Sequence, residues 1–217
     1  MKHYDWDNYL EFIQEVPIPE DTLAFFSARP SAAPYPQPIY RPIPWLSRYD
    51  KGDNTTDTFF SQAINSANTI PRVLALLRAD ILDAPRAADP DQDPNPAPRD
   101  DARPHQVLFV QIGTGLNGFT DTVHGGVLAS LVDEALSTCV EAFRQQLNGE
   151  SKAKLFTANL NVSYRAPVLS PGVILVKTWL RRRVGRKWFL EAQVVAEDGT
   201  VCTEVKALWI SERVATL

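Results

Sequence analysis

Between residues 125 and 147 the apolar positions Leu128, Leu131, Val132, Ala135, Val140 and Phe143 recur at three- and four-residue intervals. That spacing gathers them on one stripe of a helix from about Gly125 to Leu147, stopped by the glycine of "NGE". After it the period changes. "KLFTANLNVSYRAP", "GVILVKTWLRRRV", "KWFLEAQVVAE" and "TVCTEVKALWIS" are rich in β-branched and aromatic residues, and "HQVLFVQIG" before the helix has the same texture. The last three runs are joined by "VGRK" and "EDGT", turns short enough for antiparallel hairpins. A strand, the turn-rich "TGLNGFTD", a long helix and an antiparallel meander predict an α+β domain whose sheet wraps one central helix.

Upstream the pattern is irregular, and three regions separate: an extension over residues 1–82, a loop over 83–104 and the α+β domain over 105–217. The extension opens with an amphipathic segment at Tyr9–Val16 and continues into "RPSAAPYPQPIYRPIPW", whose prolines remove amide donors and favour extended backbone. Thr56 or Asp57 is the expected cap of one short helix, and Pro71 the first turn of another ending near Arg78. The stretch "DAPRAADPDQDPNPAPRDDARP" has almost nothing to bury and reads as a loosely held loop.

Composition narrows the functional classes. A net charge of -4 argues against a nucleic-acid binder, which needs a basic face. No run approaches the roughly 18 apolar residues that span a bilayer, and "MKHYDWDNYLEFIQEVPIPE" has no basic region followed by an apolar core. Cys139 and Cys202 match no metal or redox spacing and read as core residues of a reducing compartment. With three histidines, one in a suggestive context, a zinc site has little to draw on. The expectation is a cytoplasmic protein without metal or cofactor.

Four motifs stand in a fixed order: Asn117 in "LNG", His124-Gly125-Gly126, an acid nine residues after that histidine (Asp133), and "TANLNVSYRAP" beginning at Thr157. Together, over roughly residues 106–214, they resemble the hotdog-fold thioesterases, in the branch of phenylacetyl-CoA thioesterase-like proteins. The resemblance implies a hotdog fold and a thioester hydrolase acting on acyl-CoA or on phosphopantetheine-linked acyl-carrier-protein substrates. It also implies a homodimer or a homotetramer built as a dimer of dimers. Asp133 would act as nucleophile or general base, with Thr157 helping to place water. A hotdog hydratase or dehydratase is disfavoured, because the Asp-x-Asn-Pro-x-His pattern usual in that group is absent. A non-hydrolytic acyl-binding or scaffold protein is the alternative from another class, and turnover separates it from the hydrolase.

The residues suit thioester chemistry on their own terms. A helix N-terminus attracts the negative charge that develops on a carbonyl oxygen. Gly125 and Gly126 let an acyl group approach that backbone, with the Gly126 amide as the expected donor and His124 either donating nearby or fixing the loop through Asn117. Gly126 and Asp133 are separated by about 10 Å along the helix, whereas attack needs atoms roughly 3–3.5 Å apart. An antiparallel second copy of the helix closes that gap, so the spacing asks for a site shared between two subunits. Asp133 shares a face with Gly126, Ser130 and Ser137, and is preferred over Glu134. Strand alternation puts Thr157, Asn159, Asn161, Ser163 and Arg165 on one face, as a polar row near the carboxylate. Arg183 and Arg186, in the turn "RRRVGRK", are candidates for CoA or phosphopantetheine phosphates, although a solvated hairpin end explains them equally well.

Overall fold

A computed structural model of the protein describes residues 3–52, 55–83, 102–148 and 153–213, with backbone alone at 146–148. In chain order the helices are α1 (Tyr9–Glu15), α2 (Glu20–Ser27), α3 (Ala79–Asp83) and α4 (Gly125–Asn148). The strands are β1 (Tyr40–Ile43), β2 (Val73–Arg78), β3 (Gln106–Ile112), β4 (Asn117–Phe119), β5 (Thr122–Val123), β6 (Leu155–Tyr164), β7 (Gly172–Val184), β8 (Lys187–Ala196) and β9 (Val201–Ser211). Most of the Asp/Pro-rich stretch, residues 84–101, lies outside the described residues, as does its reading as a loose loop.

The long helix, the five strands around it and both hairpins appear where the periodicity put them. The main sheet is antiparallel with the order β1-β2-β3-β7-β8-β9-β6, and β4 and β5 form a separate small hairpin. Leu131, Val132, Ala135, Leu136, Cys139 and Val140 of α4 are buried against Ile174, Val176, Leu180, Leu190 and Val194 of the sheet. Each leucine, isoleucine and valine among them contributes roughly 1.5–3 kcal/mol when fully buried, so this stripe anchors the helix along its length. At the two hairpin turns Gly185 and Gly199 have φ of +55° and +90°, the left-handed region that glycine enters without strain.

The first 82 residues hold short helices and also two strands that the periodicity did not reveal. Residues 71–78 are not a helix: Val73–Arg78 is β2, paired with β1 on one side and β3 on the other. Its run of four buried residues explains the misreading. Leu74 and Leu76 face one core while Ala75 and Leu77 face the other, and a strand buried on both faces shows no alternation. Pro42 sits in β1 because β1 is an edge strand, where a missing amide donor costs no ladder bond. Asp57 does not cap a helix through its carboxylate, which pairs instead with Lys51 Nζ at 2.7 Å and accepts from Trp6 Nε1 at 3.1 Å.

The extension packs on both faces of the sheet. Tyr9, Phe12, Trp45, Leu46 and Ile70 join the core around α4. On the opposite face Phe26 of α2 packs with Tyr35, Tyr40, Phe109 and Leu175 in a second core. That second cover lies over β2, β3 and β7 and extends to Val195 of β8 and Val201 of β9. At the other end β6 is an edge strand, with Phe156 54% and Tyr164 52% exposed.

Candidate active site

The start of α4 is set by the β4–β5 hairpin. His124 N donates to Leu116 O at 2.8 Å, and the His124 carbonyl accepts from Val127 and Leu128, fixing the entry of the chain into the helix. The imidazole then folds back: Gly126 N donates to His124 Nδ1 at 2.9 Å, so the histidine caps its own helix. An Nδ1 that accepts leaves the proton of the neutral ring on Nε2.

The glycines of "HGG" serve rings before they serve a substrate. A Cβ on Gly126 would lie 3.0 Å from His124 Cε1 and Nδ1, and one on Gly118 would lie 3.0 Å from Cδ2 of the same ring. A Cβ on Gly125 would meet the Tyr164 ring at 3.2 Å, and Tyr164 Oη donates to the Gly125 carbonyl at 2.7 Å. The Gly126 amide, expected to bind the carbonyl oxygen, is therefore engaged by His124. Among the described residues the Gly125 N–H has no acceptor. Asn117 does not hold His124 either. Its Oδ1 accepts from Ser170 Oγ, tying the hairpin to the loop before β7.

Asp133 and Thr157 do meet. Thr157 Oγ1 donates to Asp133 Oδ1 at 2.9 Å. Burial pushes the Asp133 carboxyl above its ordinary value, and the Thr157 bond pulls the other way. Strict alternation does not produce this contact. The pairing of β6 with β9 shifts between Thr157 and Asn159, a bulge at Ala158 that reverses the faces of the strand. Leu155 and Thr157 before the bulge, and Leu160, Val162 and Tyr164 after it, all face α4. Asn159, Asn161, Ser163 and Arg165 line a groove on the far side with Arg181 and Glu191. The polar row expected beside the carboxylate thus splits, and only Thr157 reaches it.

Glu134 takes a part that sequence reasoning missed. It is largely buried, and Ser47 Oγ, from the extension, donates to its Oε1 at 2.5 Å. Burial is the main cause that pushes this carboxyl up to about 7; the Ser47 bond and Lys51 oppose it, while Asp57 and Asp133 add to it. Nothing local in the sequence signals this, because Ser47 and Glu134 are 87 residues apart. Next to Thr157 and Glu134 opens a cavity of about 510 Å³ between α4, the start of β6 and parts of the extension.

Arg183 and Arg186 are not brought to this carboxylate. Arg183 lies over the Trp188 ring at 4.8 Å and donates to Gly185 O, and Arg186 donates to Ser211 O at 2.6 Å. The register runs Thr157–Trp209–Trp188–Arg183 across four strands. Three strand spacings put Arg183 about 14 Å from Thr157. Trp179, Trp188 and Trp209 are buried packing residues.

Residues 120–203 match the family model described as the thioesterase superfamily. Acyl-coenzyme A thioesterase THEM4 of Mus musculus is 32% identical over 105 residues, which cover 48% of this chain and 42% of that protein. The uncharacterized mitochondrial membrane protein FMP10 of Saccharomyces cerevisiae is 29% identical over 98 residues, covering 45% and 38%. The chain thus spans less than half the length of these curated relatives. Among solved structures, the E. coli PaaI protein from the phenylacetic acid degradation operon is 11% identical, with a TM-score of 0.44 over 50% of this chain and 72% of that one. The BH2602 protein from Bacillus halodurans, solved with CoA, is 22% identical, with a TM-score of 0.43 over 48% and 66%. The architecture is the hotdog fold, an antiparallel sheet packed around one long helix. No described helix is long and apolar enough to cross a membrane.

Proposed function

We propose that the protein hydrolyses acyl thioesters, of CoA or of a phosphopantetheine-bearing carrier protein, at a site shared by two copies of the chain. The observation that carries this reading is the Asp133–Thr157 pair: a half-buried carboxylate with a raised pKa, oriented by a hydroxyl. Asp133 takes a proton from water, whose oxygen attacks the thioester carbon. Negative charge collects on the carbonyl oxygen, and the C–S bond then breaks as the proton passes to the departing sulfur. If Asp133 is instead the nucleophile, its oxygen forms a mixed anhydride that water opens; one turnover in ¹⁸O water labels the carboxylate only in that case. The mouse relative named as an acyl-coenzyme A thioesterase supports the same class of reaction.

The oxygen-binding donor in this reading is the Gly125 amide, because the Gly126 N–H is held by His124. From Gly125 to Asp133 is about 12 Å along the helix, too far for one carbonyl to touch both. The unpaired edge of β6 supports the remedy, since a twofold partner laid along it covers exposed Phe156 and Tyr164 and brings one Asp133 toward the other N-terminus. Arg183 and Arg186 remain candidates for the cofactor-end phosphates of the substrate.

Mixed dimers test the shared site. Gly125→Val drives a side chain into the Tyr164 ring and crowds the amide, while Asp133→Asn removes the base. Each homodimer is expected to be inactive. Refolded together at random, half the dimers are mixed, and each mixed dimer carries one site free of both lesions, so about a quarter of all sites recover. Activity that stays at the parental level, with mixed dimers confirmed by mass, refutes sharing. Absence of turnover in the wild-type protein on any acyl thioester refutes the hydrolase.

A further inference from the structure

The cavity beside the Asp133–Thr157 pair has a wall that an ordinary hydrocarbon pocket does not have. Glu134, Ser137, Glu141 and Arg144 recur at three- and four-residue intervals, so one face of α4 presents a polar stripe to it. Leu155, Phe156 and Trp209 also line it, together with Trp6 and Asp57 of the extension. Trp6, Asp57 and Trp209 lie outside the segment that matches the family model. At about 510 Å³ it is of a size that holds small-molecule groups.

The polar stripe is only partly satisfied from within. Glu141 is occupied: Arg144 donates to it at 2.8 and 2.5 Å, and Gln145 at 2.5 Å, while Gln145 also donates to the Trp6 carbonyl. That network is a fixed floor. Ser137 is different, because among the described residues its hydroxyl has no partner. Glu134 has one oxygen bound to Ser47 and the other without a partner among the described residues. A plain alkyl chain lying here would strip water from both groups and return nothing, which costs on the order of a hydrogen bond for each.

We propose that this cavity receives the acyl group and selects chains carrying a hydroxyl several carbons from the thioester, bonded between Ser137 Oγ and the Glu134 carboxyl. The inference deepens the hydrolase reading and rests on it for the placement of the carbonyl at Asp133. Ser137 lies one helical turn beyond Asp133, about 6 Å along the axis, which places the hydroxyl well along the chain. A carboxyl that titrates near neutrality both donates and accepts, so it serves a hydroxyl in either sense.

The test compares octanoyl-CoA with 5-hydroxyoctanoyl-CoA and 7-hydroxyoctanoyl-CoA, together with binding of the three free acids by calorimetry. One net hydrogen bond predicts that kcat/KM for a hydroxylated chain exceeds that for octanoyl-CoA about tenfold, and that Ser137→Ala brings the values together. Equal or faster hydrolysis of octanoyl-CoA overturns the selection and leaves the hydrolase standing. So does a preference that survives intact in both Ser137→Ala and Glu134→Gln. If no thioester is hydrolysed but a hydroxylated acid binds about tenfold tighter and Ser137→Ala abolishes the difference, the cavity assignment stands and the hydrolase falls. With neither turnover nor discrimination, both fall.

Discussion

Replacing Glu134 with glutamine removes a proton-binding group that the fold holds in its neutral form. Burial is the largest cause that moves the carboxyl from 4.5 to about 7. Below pH 4.5 the group is neutral in the folded and unfolded chains alike, and its contribution to stability is fully present. As pH rises through 7 the folded protein must bury a charge, and the contribution is lost. At about 1.4 kcal/mol for each tenfold change in proton affinity, the loss amounts to roughly 3 kcal/mol. Glutamine keeps an oxygen for the Ser47 hydroxyl and cannot ionise, so Glu134→Gln should be less stable than wild type near pH 5 by little or nothing, and more stable at pH 8. Urea denaturation of both proteins from pH 4 to 9 measures this directly. The acid side provides an internal control. His105 is held neutral chiefly by burial, with its pKa lowered to about 3, so its contribution is present above 6.5 and is lost in both proteins as pH falls toward 3. Parallel stability curves between pH 5 and 8 would refute the argument, because Glu134 would then be solvated and the cavity open to water around it.

Asp133→Asn is expected to keep the fold and lose more than nine-tenths of kcat, whereas Thr157→Val, which removes only the orienting hydroxyl, costs less; the reverse order in a thioesterase assay moves the chemistry elsewhere. Deleting Ala158 removes the bulge and sets Thr157 directly before Asn159 with its partner Trp209 unchanged, so Thr157 stays on the α4 face and activity should exceed that of Thr157→Val. A deletion mutant that folds yet is as inactive as Asp133→Asn would show that the bulge itself, beyond the face of Thr157, is needed. Gly126→Ala sets a methyl against the His124 ring, and a loss of about 1–2 kcal/mol in urea stability is expected from the damaged cap; an unchanged midpoint would mean that the imidazole does not hold the helix start.

Periodicity alone determined the long helix, the strands β3 and β6–β9 and the hairpin turns, because each has one apolar face or a glycine at a turn, and those signals are local. Motif order likewise marked His124, Asp133 and Thr157. Other features depend on which surfaces meet, and only the tertiary structure decided them. A strand buried on both faces has no alternation to read, so β2 passed for a helix. The bulge at Ala158 adds one residue to a two-residue period, and nothing in "TANLNVSYR" shows that Thr157 rather than Asn159 faces the helix. The role of Gly126 was read as room for a substrate, yet its missing Cβ makes room for His124, a contact set by the angle at which the β4–β5 hairpin delivers the chain. Glu134, unremarkable beside Asp133 in the sequence, acquires its raised pKa chiefly from burial, with Asp57 adding to it and the Ser47 hydroxyl of the N-terminal extension opposing it. Local pattern records how a segment buries its own apolar side; the electrostatics of a site depend on what the rest of the chain places against it.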